Sequence, residues 1–147
     1  MGAQAGHPVG SQRVNARDYY SRLQDAVRAA PHVLRSEIRF DEIDEDECYI
    51  SGVLLLIGDL ELHIAEYVIT APDLLRLKYR YHLQTADGVL LSRWDNAPHH
   101  REISGFPDHR HNGDATVYPT VPMDLPGVLN AALVLALPAN PEDEQPS

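Results

Sequence analysis

From Val33 to Gln84 the chain alternates apolar and polar residues with a period of two, and the breaks between runs are very short. That pattern constrains the fold more than any other feature. A parallel crossover needs a dozen or more residues, so strands joined by breaks this short must run antiparallel. In VLRSEIRFDEI, Leu34, Ile38 and Phe40 point one way and Arg35, Glu37, Arg39 and Asp41 the other. CYISGVLLLI is apolar on both faces and reads as a central strand. In LELHIAEYVIT, Leu60, Leu62, Ile64 and Val68 oppose Glu61, His63, Ala65, Tyr67 and Ile69, with Gly58-Asp59 as the tight turn before them. LLRLKYRYHLQ sets Leu75, Leu77, Tyr79, Tyr81 and Leu83 against Arg76, Lys78, Arg80, His82 and Gln84. Asp87-Gly88 then turns the chain into VLLSRWDN. The expectation is a five-stranded antiparallel meander.

Helices flank it. Asn15 can cap a helix in which Tyr19, Tyr20, Leu23, Ala26, Val27 and Ala30 recur at three- and four-residue spacing, ending before Pro31. Asp124 as a cap and Pro126 in the first turn open a second helix in MDLPGVLNAALVLAL. Between them, Ala97 to Thr120 is rich in Pro, Gly and polar residues and reads as a long loop, which in a compact domain is usually functional. The fold class expected is α+β, one domain over residues 13–137. Residues 1–12 have the composition of a flexible terminus, and residues 138–147 that of an acidic disordered tail.

The net charge is −10, which excludes coating of nucleic acid by bulk electrostatics. The charge is unevenly spread, however. DEIDEDE, Asp41 to Glu47, and the C-terminal PEDEQPS hold nine of the 22 carboxylates. Between Leu75 and His111 six cations, Arg76, Lys78, Arg80, Arg93, Arg101 and Arg110, face four carboxylates, with five histidines besides. A locally basic surface on an acidic protein is therefore expected. No run reaches the roughly 18 apolar residues of a membrane span. MGAQAGHPVG lacks the basic and apolar regions of a secretory signal, so the expected location is cytoplasmic. The lone Cys48 allows no internal disulfide and fits a reducing compartment.

The densest chemistry lies in RWDNAPHHREISGFPDHRH, Arg93 to His111, which holds four of the eight histidines. Taken with Tyr79-Arg80-Tyr81-His82 and Asp87-Gly88 upstream, its blocks Arg93-Trp94-Asp95-Asn96-Ala97-Pro98-His99-His100 and Phe106-Pro107-Asp108-His109-Arg110-His111 resemble the TumE family of toxin components. The resemblance covers about residues 60 to 115 well and the N-terminal part in outline. It is specific because several unlike blocks occur in one order. Trp94 stands where the family pattern has Tyr, which keeps a ring and removes a phenolic hydroxyl. The resemblance implies a type II toxin made beside a helix-turn-helix antitoxin of the TumA kind, with growth arrest when the toxin is free.

The residues suggest a reaction independently. RNA phosphodiester cleavage needs a base for the 2′-hydroxyl, an acid for the leaving 5′-oxygen, and cations for charge growing on phosphorus. Imidazole suits the first two roles near neutrality, and guanidinium suits the third. His82, His99, His109, His111 and Arg93 are the candidate catalytic residues, sufficient without a metal or other cofactor. Arg80, Arg110, Asp95 and Asn96 are candidate substrate contacts. Tyr79, Tyr81 and Trp94 could stack unpaired bases, or pack in the core beside Leu75, Leu77 and Leu83. Arg93, Asp95 and Asn96 equally suit a structural ion pair and turn. His99 and His100, being adjacent, cannot both enter one site, and His63 reads as a core or interface residue.

Two other function classes stay open. His109 and His111, two apart, could bind zinc with His99 or Asp108, giving a metal-dependent hydrolase, although the spacing matches no strong metal motif. Alternatively the domain binds protein without catalysis, its acidic DEIDEDE hairpin docking a basic partner, or copies pair through an exposed sheet edge as a homo-oligomer. A serine or cysteine nucleophile fits the context less well: Cys48 lies in an apolar strand, and Ser92 and Ser104 lack a glycine-framed elbow.

Overall fold

The computed structural model describes residues 13–97 and 107–137. It is an α+β fold in which seven strands, not five, form one sheet in the order β1-β2-β3-β4-β5-β6-β7, every neighbour antiparallel. The strands are β1 (Val33–Asp44), β2 (Glu47–Leu56), β3 (Leu60–Ile69), β4 (Leu75–Thr85), β5 (Leu90–Asp95), β6 (His109–Asn112) and β7 (Val117–Pro119). The two additional strands come from the segment expected to be a loop. They are only four and three residues long and carry no apolar alternation, so the pairing of β6 with β5 and not periodicity defines them.

Helix α1 (Ala16–Ala29) begins as the sequence indicates: Asn15 accepts from the Asp18 amide at 2.8 Å and Asp18 reciprocates on the Asn15 amide at 3.0 Å. Helix α2 (Leu125–Ala136) starts at the Asp124 cap, whose carboxylate accepts from the Gly127 amide at 2.9 Å. Both helices cover the same sheet face. Leu23 and Val27 of α1 and Val128, Leu129 and Ala132 of α2 join Cys48, Ile50, Leu54, Leu62, Ile64, Tyr81, Leu83 and Trp94 in one core. Each fully buried large side chain there contributes about 1.5–3 kcal/mol, so this face holds the fold together. The buried His32 Nε2 lies 2.9 Å from the Leu129 carbonyl and ties the start of β1 to α2. Gly52 is required by packing: a Cβ there would lie 2.4 Å from the Glu37 carbonyl oxygen of β1. No described helix is long and apolar enough to cross a membrane.

Two irregularities revise the alternation read from sequence. A bulge at Leu77, between the pairs Tyr67↔Lys78 and Val68↔Arg76, flips the start of β4. Arg76 therefore lies on the helix face beside Val68, away from Lys78 and Arg80, while Leu75 and Leu77 are left about half exposed. A second register shift between Val33 and Arg35 leaves Leu34 exposed. The acidic run forms the β1–β2 turn and its flanks, where Arg13 pairs with Asp46 and Arg17 with Glu42 at 2.8 Å. These pairs are exposed and individually worth roughly 0–1 kcal/mol.

Candidate functional site

The sheet face without helices carries the chemistry. Register places His63 of β3, His82 of β4, Arg93 of β5 and His111 of β6 side by side in one row. The next row holds Ala65, Arg80, Asp95 and His109. Residues separated by up to 48 positions thus converge because each strand pairs with its sequence neighbour. An open groove of about 790 Å³ crosses this face, lined among others by Tyr49, Ala65, Tyr67, Arg80, Arg93 and Asp95.

Asp95 is the hub. Although it lies on the helix-free face it is only 3 % exposed. One carboxylate oxygen accepts from the Ala97 amide at 3.0 Å and lies 2.9 Å from His109 Nε2. The other accepts from Arg93 Nε at 3.1 Å and lies 3.6 Å from His111 Nε2. His109 is 2 % exposed, and its Nδ1 donates to the Pro107 carbonyl at 2.7 Å. The His109 and His111 rings meet edge to face with centroids 4.8 Å apart. Both the ion pair and the convergence of imidazoles are therefore present, and they share one carboxylate.

His82 sits on the other side of Arg93, its Nε2 3.1 Å from Gln84 Oε1. Partial burial lowers its pKa below the ordinary 6.5, the neighbouring Arg93, His63 and Arg80 lower it further, and the Gln84 contact opposes them. The ring is thus neutral near neutral pH and able to take a proton. His63, expected to be a core or interface residue, is partly exposed in this row, its Nε2 3.1 Å from Glu61 and its ring centre 6.1 Å from that of His82.

Other candidates lie elsewhere. Tyr79, Tyr81 and Trp94 are 5 %, 0 % and 2 % exposed on the helix face, with no ring surface open to a base. Arg110 shares that face: its guanidinium lies 5.0 Å from the Trp94 ring centre and Nε donates to Ser92 Oγ at 2.6 Å. Asn96 is committed to backbone, accepting from the Tyr79 amide at 2.9 Å and donating to the Leu77 carbonyl at 3.1 Å. It braces the bulge that sets the facing of Arg76. His99 lies outside the described residues, and so does His100. Asp108, a metal candidate in the sequence, instead accepts from the Tyr79 hydroxyl at 2.7 Å.

Three residues were missed. Tyr49 and Tyr67, paired across β2 and β3, supply the exposed aromatic lining of the groove. Glu66 is 1 % exposed in the core, receiving the Tyr19 hydroxyl and, at 2.9 Å, the Tyr81 hydroxyl, with Arg76 nearby. Burial raises its pKa and the two hydroxyls and Arg76 oppose that rise. Its position was visible in sequence, since Glu66 shares the parity of Leu62, Ile64 and Val68.

No curated protein and no solved structure matches the chain. The family model described as Toxin TumE matches residues 23–133, which spans α1 from Leu23, every strand and most of α2, and includes the whole Asp95 corner. With sequence blocks and a family match coinciding over one domain, the chain belongs to the TumE toxin family.

Proposed function

We propose that this chain is the toxin of a toxin–antitoxin pair, that its antitoxin is a helix-turn-helix protein of the TumA kind, and that it arrests growth by cleaving RNA. The observation that carries the reading is the row His82, Arg93 and His111 on the helix-free face, with Arg80 and Asp95 beside it. Adjacent strands lie about 4.8 Å apart, so the His82 and His111 backbones stand roughly 10 Å apart with a guanidinium between them. A phosphodiester fits between groups so spaced.

In this reading neutral His82 takes the proton of the 2′-hydroxyl, and the 2′-oxygen attacks phosphorus to give a 2′,3′-cyclic phosphate. The 5′-oxygen departs with a proton delivered from the Asp95, His109 and His111 corner, leaving a 5′-hydroxyl end. Arg80 and the terminal nitrogens of Arg93, whose Nε is held by Asp95, bind the phosphoryl oxygens as charge grows on them. Tyr49 and Tyr67 offer the aromatic surfaces for unpaired bases that the buried Tyr79, Tyr81 and Trp94 do not.

The test is induced expression with and without the neighbouring antitoxin frame, followed by mapping of RNA ends. Arrest without the antitoxin, with new 5′-hydroxyl ends, is expected. His82→Ala, folded and still bound by the antitoxin, should lose both. A folded, antitoxin-binding His82→Ala chain that remains fully toxic removes the mechanism.

A further inference from the structure

The Asp95 corner contains an acceptor facing an acceptor. The Pro107 carbonyl can only accept, so His109 Nδ1 carries its hydrogen toward it at 2.7 Å. In a neutral ring Nε2 then presents a lone pair, and it faces an Asp95 oxygen only 2.9 Å away. A cation shared between the two, a ring proton or a metal ion, makes that contact favourable.

Several observations favour the metal. One donor atom from each of Asp95, His109 and His111 lies within 4.8 Å of the other two. His111 Nε2 stands 3.6 Å from the carboxylate, beyond a good hydrogen bond. Zinc bonds of about 2.0–2.1 Å in tetrahedral array put ligand atoms about 3.3 Å apart, a spacing approached by His109 Nε2, 2.9 Å from one Asp95 oxygen, and by His111 Nε2, 3.6 Å from the other. The surroundings also match a metal site: Pro107 fixes the tautomer that directs the Nε2 lone pair toward the carboxylate, while Arg93 and the Ala97 amide orient the carboxylate.

We infer that His109 Nε2, His111 Nε2 and a carboxylate oxygen of Asp95 form a site for one divalent transition-metal ion of the zinc class. Two imidazoles and one carboxylate suit zinc and its neighbours better than magnesium or calcium. Only the ion's use rests on the RNA reading. In that reading it neutralises phosphoryl oxygens next to Arg93, and its bound water gives the proton to the leaving 5′-oxygen.

The test is isothermal titration of the untagged full chain with Zn(II), with Mg(II) in parallel, and Co(II) absorption to report coordination. The wild type should bind one equivalent of Zn(II) and ignore Mg(II) at the same concentration. His111→Ala and Asp95→Asn should weaken binding by roughly 100-fold or more, since even supporting partners of metal ligands cost about 10–100-fold. His82→Ala should bind like the wild type. His111→Gln, closer in volume, repeats the test should His111→Ala unfold on thermal melting. Absence of Zn(II) binding to the wild type, or equal binding by folded His111 and Asp95 variants, overturns the site. Zinc binding without RNA cleavage upholds the site and sinks the RNA reading. Cleavage that survives chelation in a chain that binds no zinc does the reverse.

Discussion

Asn96→Ala separates a structural from a substrate-binding role at the edge of the site. β5 ends at Asp95, so beyond it the Leu77–Tyr79 stretch of β4 has no strand on that side, and the Asn96 amide replaces one. Its oxygen takes the Tyr79 N–H at 2.9 Å and its nitrogen gives to the Leu77 carbonyl at 3.1 Å. A net intramolecular hydrogen bond is worth about 0.5–1.5 kcal/mol. Leu77 is half exposed, so water can replace its bond more easily than that of the half-buried Tyr79 amide, and the expected loss is about 1–2 kcal/mol. For a body of roughly 125 residues, with unfolding entropy near 2.1 cal/mol/K per residue, that lowers Tm by about 4–8 °C. Urea unfolding gives the free energy, and hydrogen exchange should show faster exchange at Tyr79 while β2 and β3 amides keep their protection. RNA affinity of the folded fraction should stay near wild type. A loss under about 0.3 kcal/mol with unchanged Tyr79 exchange would refute the bracing argument, and a selective loss of RNA affinity would return Asn96 to the substrate.

Tyr81→Phe removes one of the two hydroxyls holding Glu66 and should cost about 1.5–3 kcal/mol in urea unfolding, the range for a hydrogen bond to a charged group. A neutral result would mean that Glu66 is protonated or finds water in the variant. The pH profile of RNA cleavage should have its acidic limb below the ordinary histidine value of 6.5, because His82 must be neutral and its pKa is lowered by burial and by Arg93, His63 and Arg80. Arg80→Gln takes away one of those charges, so the limb should move to higher pH whatever happens to the maximal rate, and the His82 ring proton followed by NMR should move with it. A titration at or above 6.5 in the wild type would refute this assignment.

Much of the architecture was legible because period-two alternation and short turns leave few options. Gly58 and Asp59 do take positive φ values, 80° and 57°, and Asn15 and Asp124 do cap the helices. β6 and β7 were not legible, since four polar residues have no hydrophobic phase and their pairing comes from β5. Arg76 was assigned to the wrong face because a bulge leaves no mark in the apolar pattern at Leu77. The site was half legible. Residue types indicated His82, Arg93, His109 and His111, but a strand assignment for His109 and His111 was needed to see that Asp95, and not Asp108, joins them. For Tyr79, Tyr81 and Trp94 the residue types alone left stacking and core packing both open; all three are buried, and for Tyr79 and Tyr81 parity with Leu83 was the guide to that.

Spatial strand order equals chain order throughout the sheet. β1 to β5 can therefore pair as the polypeptide emerges from the ribosome, since domains commonly fold as synthesis proceeds. His109 and His111 belong to β6 and arrive afterwards, so a nascent chain carries His82 beside Arg93 but neither of the imidazoles that face Asp95. The corner is therefore assembled only once β6 has followed β5 into the sheet, so the chain passes through an interval in which its first five strands are paired and its buried carboxylate is not yet enclosed.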